Sequence, residues 1–140
     1  MFVDTNVFMY AVGRPHPLKP AARQFFIEAH RDGAALCTSA EVLQELAHAY
    51  LPRGRLAAFD SALDLASRAG VEVWPLEEAD VLLARRLRDE HPDLQARDLC
   101  YLASCRRRGV RDIVTFDRDL AAAAGSGATP MSGSPRLEPS

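Results

Sequence analysis

Apolar residues along this chain follow two alternating rhythms: short uninterrupted runs, and longer stretches in which they recur three or four positions apart. The first rhythm suits strands buried in a sheet, the second amphipathic helices. Met1 to Val7 reads as a first strand. Arg14-Pro15-His16-Pro17 then breaks the chain ahead of a helix from about Leu18 to Arg31, ended by Asp32-Gly33. Ala35 to Cys37 is a short second strand. Thr38, with Glu41 three positions on, has the capping-box spacing for a helix reaching about Tyr50. Leu51-Pro52-Arg53-Gly54 breaks the chain again, a helix from about Arg55 to Ala69 is closed by Gly70, and Val71 to Trp74 forms a third strand stopped by Pro75. Helices from about Glu77 to Glu90 and from about Gln95 to Arg108 follow, and Asp112 to Thr115 supplies a fourth strand rich in β-branched residues.

Short strands separated by helices predict an α/β fold, a three-layer α/β/α sandwich around a mostly parallel sheet. At 140 residues the chain suits one domain, expected over residues 1–124. Gly125 to Ser140 is dense in Gly, Ser and Pro and is expected to be a flexible tail with at most a weak edge strand.

Composition narrows the class. Hydrophobic residues make up 48% and charged residues 26%, an ordinary globular mix. The longest apolar stretch, Val7 to Val12, is too short to span a bilayer, and no basic leader precedes it, so a cytoplasmic protein without membrane contact is expected. An odd cysteine count fits no disulfide framework, and Cys37, Cys100 and Cys105 read as small buried hydrophobes. His16, His30, His48 and His91 are scattered, which argues against a structural zinc site. Net charge is −2, so nucleic acid would have to be held by local arginines rather than by a broad basic surface. Arg106, Arg107 and Arg108 read as a solvated face or as charges favourably placed at a helix end.

Four acidic residues carry the candidate chemistry. Asp4 and Asp117 each follow an apolar strand, where parallel sheets present ligand sites. Glu45 borders the buried stripe of its helix, roughly 60° from Val42 at about 100° per residue, whereas Glu41 points away and suits the cap. Asp98 lies in the first turn of its helix, whose positive end favours the ionised carboxylate. Taken singly, each has an ordinary structural explanation as a cap or a solvated flank. Together they form four carboxylates that would repel one another unless a divalent cation absorbs their charge.

The blocks Asp4-Thr5-Asn6, Val42-Leu43-Gln44-Glu45-Leu46, Ala96-Arg97-Asp98-Leu99 and Thr115-Phe116-Asp117-Arg118-Asp119 resemble the PIN-domain family, in particular the VapC toxins of bacterial toxin-antitoxin pairs. The resemblance spans about Met1 to Ala124. It implies an endoribonuclease dependent on Mg2+ or Mn2+, with Asp4, Glu45, Asp98 and Asp117 holding metal directly or through water and Asp119 as a further, more peripheral ligand. Thr5 or Asn6 would shape the loop, and Thr115 would hydrogen-bond an acidic ligand or water. Implied partners are a structured RNA such as tRNA or rRNA, a small VapB-like antitoxin and a second copy in a homodimer. Arg14, Arg53, Arg55 and Arg97 are candidates for the substrate phosphates, and Phe25, Phe26, Tyr50 and Phe59 for partner surfaces as well as core. The resemblance departs from the family after Gly125, where no apolar closing strand is evident.

An oxygen-only ligand set suits hard cations, and water activated at such a site would leave 5′-phosphate and 3′-hydroxyl ends. No serine or cysteine nucleophile has a matching motif. Competing readings are a non-catalytic PIN scaffold that binds RNA or protein, and a metal-dependent phosphatase. A haloacid-dehalogenase site would want aspartate where Asn6 stands. A receiver domain would want an acceptor aspartate after the third strand and a late lysine, but Trp74-Pro75 follows that strand and the only lysine is Lys19.

Overall fold

Each strand is only two or three residues long and leads toward a helix, so the sheet acts as a short platform whose carboxyl edge collects loops. A computed structural model describes residues 1–125 and, as backbone, 128–130. The strands are β1 (Phe2–Val3), β2 (Cys37–Ser39), β3 (Glu72–Trp74), β4 (Ile113–Thr115) and β5 (Ala128–Pro130). They pair in parallel in the order β3-β2-β1-β4-β5, with Phe2 opposite both Cys37 and Ile113 and Val3 opposite Val114. The helices are α1 (Thr5–Val12), α2 (Lys19–Asp32), α3 (Ala40–Tyr50), α4 (Leu56–Arg68), α5 (Glu78–Glu90), α6 (Ala96–Arg107) and α7 (Arg118–Ala124). α1 to α4 pack among themselves and α5 pairs with α6, giving the helical layers of the sandwich.

The sheet centre is fully buried: Phe2, Val3, Ile113 and Val114 have no exposed surface. Successive strand residues point to opposite faces. Phe2 meets Tyr101 of α6 and Trp74, at ring separations of 5.4 and 5.9 Å, while Phe8 of α1 meets Phe26 of α2 at 5.4 Å. Phe26 and Tyr50 are core residues, and Phe25 and Phe59 are partly buried against the core, so these aromatics serve packing first.

Several expectations need correction. The first strand ends at Val3 rather than Val7, because Asp4 takes the N-cap of α1 and its side chain accepts a hydrogen bond from Thr5 N. The second strand lies two residues later than expected, with Thr38 inside it. Its hydroxyl donates to Val3 O at 2.8 Å, so Ser39 takes the N-cap of α3 without a side-chain bond, and Glu41 does not serve a capping box. The box occurs instead at Glu77 and Asp80 of α5. Asp80 is fully buried and pairs with Arg107 at 2.7 Å, while Arg108 lies over the Trp74 ring at 4.8 Å and reaches Glu77 at 3.1 Å. Arg106 and Arg107 are exposed in the last turn of α6, as expected for charges at a helix end, and Arg107 and Arg108 in addition tie this end of α6 to α5 and β3. Cys37 and Cys105 are buried as expected, but Cys100 is only partly so.

The weak edge strand allowed for after Gly125 is present as β5, beside β4, although no apolar run marks it. The flexibility expected for residues 125–140 otherwise concerns residues outside the described ones. Gly33 ends α2 in the left-handed region at φ 63°, where its amide reaches back to Ala29 and His30. Among the described residues no helix is long and apolar enough to cross a membrane.

Candidate active site

β1 and β4 are neighbours, so the residues that follow them meet at one point on the carboxyl edge of the sheet. Asp4, only 5% exposed, accepts hydrogen bonds on both oxygens, from Thr5 N at 2.7 Å and from the Thr115 hydroxyl at 2.7 Å. Thr115 Oγ1 in turn accepts from Asp117 N at 2.9 Å and from Asn6 Nδ2 at 3.4 Å, while Asn6 Oδ1 accepts from Phe116 N at 3.2 Å. Thr115 and Asn6 thus lock the two loops together. Asp117 Oδ1 caps α7 by accepting from Asp119 N at 2.9 Å and Leu120 N at 3.2 Å.

α3 and α6 bring the remaining groups. The Thr5 hydroxyl donates to Glu45 Oε2 at 2.5 Å and lies 3.5 Å from the Tyr101 hydroxyl. Glu45 Oε1 is engaged by Arg97 Nε in an ion pair. Asp98 follows Arg97 in the first turn of α6, and among the described residues it accepts no hydrogen bond. Asp4, Glu45, Asp98 and Asp117 all line one cleft of about 380 Å3, with Arg97 at its mouth.

Burial pushes the Asp98 carboxyl from the ordinary 3.8 up to about 7, and the charges of Asp4, Asp117 and Glu45 add to the effect. Burial likewise lifts Asp4 to about 6; the Thr115 and Thr5 hydrogen bonds oppose this, and Glu45 and Asp117 reinforce it. Glu41, one turn before Glu45, is pushed up to about 7 by burial and then by Glu45 and Asp80, and its Oε1 is buried without a partner. Burial and mutual repulsion thus oppose ionisation of the carboxylates gathered here, with Arg97 the only lysine or arginine among the described lining residues to offset it.

The four carboxylates supply oxygen donors that fit a hard divalent cation; His48 is the one imidazole and Arg97 the only lysine or arginine among the described lining residues. The fit is not preassembled, however. Among the described residues no three acidic, histidine or cysteine side chains stand together as a ready metal cluster, and Glu45 has both oxygens engaged by Thr5 and Arg97.

The four expected acidic positions therefore meet at one cleft, and Thr5, Asn6 and Thr115 each bond within it. Asp119 does not line that cleft; it borders a separate groove with Glu90 and His91. Of the four candidate arginines only Arg97 lines the cleft. Arg53 donates to Ala49 O at 3.1 Å, Arg55 lies over the Tyr50 ring at 5.2 Å, and Arg14 is exposed outside the lining. Sequence reasoning missed His48, which lines the cleft, and Tyr101, which meets the Thr5 hydroxyl. Both lie three residues after a candidate carboxylate, Glu45 or Asp98, a spacing that puts them on the same helical face.

Comparison with known proteins shows the family. The family model for the PIN domain matches residues 1–126. Ribonuclease VapC23, from two strains of Mycobacterium tuberculosis, is 57% identical over 123 residues, which cover 88% of this chain and 97% of that protein. Ribonuclease VapC13 of M. tuberculosis is 36% identical over 118 residues, covering 84% and 90%. In fold the chain is similar to the crystal structure of M. tuberculosis VapC20, described as a Sarcin-Ricin loop cleaving toxin, with a TM-score of 0.74, 20% identity, and coverage of 92% of this chain and 98% of that one. The chain belongs to the PIN domain family and, within it, to the VapC-type ribonucleases.

Proposed function

We propose that this protein is the endoribonuclease toxin of a toxin-antitoxin pair and hydrolyses phosphodiester bonds in structured RNA, such as tRNA or rRNA, with Mg2+ or Mn2+ as cofactor. The observation that carries the reading is the meeting of Asp4, Glu45, Asp98 and Asp117 at one cleft on the carboxyl edge of a parallel sheet. The names of the ribonuclease relatives support the substrate class and the toxin role.

The four carboxylates are not equivalent. Asp4, fixed by two hydrogen bonds, would be the rigid ligand, and Asp117, which spends Oδ1 on the α7 cap, would offer its other oxygen as a second. Glu45 would serve as a ligand once released from Arg97. Asp98, which among the described residues accepts no hydrogen bond, would be the group free both to bind the cation and to accept a proton from water. A bound divalent cation supplies Lewis acidity and offsets charge developing on the phosphoryl oxygens. Asn6 and Thr115 keep the two loops in register so that the carboxylates stay opposed.

The test is cleavage of a folded tRNA or rRNA transcript by purified protein in Mn2+, with and without EDTA. Asp98→Asn and Asp4→Asn should each lower the rate about a hundredfold or more while the domain stays folded, and the products should carry 5′-phosphate ends. Unchanged cleavage by both folded variants would refute the site. RNA binding without cleavage would leave the non-catalytic scaffold instead. The toxin role is tested separately: expression should arrest growth, and co-expression with a small protein encoded beside the gene should restore it and yield a complex with reduced nuclease activity.

A further inference from the structure

The cleft holds a cation of its own. Arg97 Nε pairs with Glu45 Oε1, and Arg97 Nη2 lies 3.5 Å from Gln95 Oε1, which steadies the guanidinium at the rim. The Arg97 side chain is 57% exposed and that of Glu45 only 19%, so the arginine reaches inward from solvent to a carboxylate that is mostly covered.

We propose that Arg97 is an exchanging counter-cation: it holds Glu45 in the RNA-free protein and moves to a substrate phosphodiester when Glu45 is taken up by metal. This rests on the nuclease reading and assigns a substrate-positioning role within it. Three observations carry the exchange. First, RNA entering the cleft brings phosphates toward four carboxylates, and Arg97 is the only lysine or arginine among the described lining residues that can receive them. Second, a guanidinium presents five donors in a planar fork, so it can hold phosphate oxygens in two places where it now holds one carboxylate oxygen. Third, an ion pair whose arginine is mostly in solvent is weak and easily broken, so the partner change faces little resistance. Arg97 directly precedes Asp98 in the first turn of α6, so its guanidinium changes partner without its backbone leaving the cleft.

The exchange predicts opposite effects on two ligands. Removing Arg97 frees Glu45 and leaves the cleft more negative, so a divalent cation should bind better; the same change removes the phosphate contact, so RNA should bind worse. A residue that merely braces the fold would weaken both.

The experiment is calorimetric titration of Mn2+ alone into RNA-free wild-type protein, Arg97→Gln, Arg97→Lys and Asp98→Asn, paired with steady-state RNA cleavage. Arg97→Gln should bind Mn2+ about threefold to tenfold more tightly than wild type, raise KM for RNA about tenfold, and change kcat by less than about threefold. Arg97→Lys keeps the charge but not the fork, so its Mn2+ affinity should stay near wild type while KM rises part of the way. Unchanged or weaker Mn2+ binding by Arg97→Gln, or a fall in kcat at constant KM, overturns the exchange even if the protein is a nuclease. Wild-type protein that binds no Mn2+, or Asp98→Asn that binds it as wild type does, removes the nuclease reading and this proposal with it.

Discussion

Asp98→Asn should inactivate the protein and, without metal, make it more stable above neutral pH. The sign follows from the raised carboxyl. Below about pH 3 Asp98 is protonated both folded and unfolded and contributes nothing to pH dependence. As pH rises the unfolded chain ionises near the ordinary 3.8, while the folded protein retains the proton to about 7. The folded state thus binds more protons across that window, so stability present at low pH is lost progressively until both forms are ionised. Fully expressed, the loss is about 4 kcal/mol at about 1.4 kcal/mol per tenfold change in acidity, and the cleft's opening to water reduces it to roughly 2 kcal/mol. Asp4, lifted to about 6, adds a loss of the same sign.

The measurement is urea unfolding in EDTA from pH 4 to 9, followed by fluorescence of the single tryptophan, Trp74, which is buried. Wild-type stability should decline with pH. Asp98→Asn should match it near pH 4 and exceed it by roughly 2 kcal/mol near pH 8, and Mn2+ should stabilise wild type more than the variant. A difference between the two proteins that does not vary with pH, or a variant less stable at pH 8, would refute the view that the carboxylates are held together against their mutual repulsion.

Asp117→Asn should abolish cleavage at little cost in stability, since asparagine caps a helix as well as aspartate does, whereas Asp119→Asn, which lies outside the cleft, should retain most activity; RNA cleavage rates show the order, and the reverse order would move the fourth ligand to Asp119. Asp80→Ala removes one half of the α5 capping box and leaves Arg107 without its 2.7 Å partner, so it should cost on the order of 3 kcal/mol in urea unfolding without changing the cation specificity of the folded fraction.

The fold was legible where one rhythm dominated. α2, α4, α5 and α6 were located to within about a residue or two because their stripes are amphipathic and end at Gly or Pro. The error over Met1 to Val7 has a physical source: Thr5, Val7, Phe8, Tyr10 and Ala11 of α1 are all buried. An element covered around much of its circumference shows no polar face, so periodicity cannot tell it from a buried strand. Thr38 misled in another way, since its hydroxyl is drawn to Val3 O across the sheet, a partner 35 residues away that local pattern cannot supply. β5 lacks the apolar run that marked the other strands and is recognised by its pairing with β4.

The acidic positions were legible for the opposite reason, since charged groups at strand ends and early helix turns stand out against an apolar background. Their inequality was not. It arises from contacts between distant segments: Thr115 reaching Asp4, Thr5 reaching Glu45, and Arg97 turning onto Glu45. These hydrogen bonds favour the ionised carboxylates, while burial and mutual repulsion disfavour them, and at Asp98 and Asp4 the latter prevail. Without metal the cleft is therefore a place where the fold carries unfavourable charge, offset by the buried platform of Phe2, Val3, Ile113 and Val114 beneath it. A cation that relieved the repulsion would bind the folded state in preference to the unfolded one, so the groups that cost stability without metal would be those that couple metal affinity to folding.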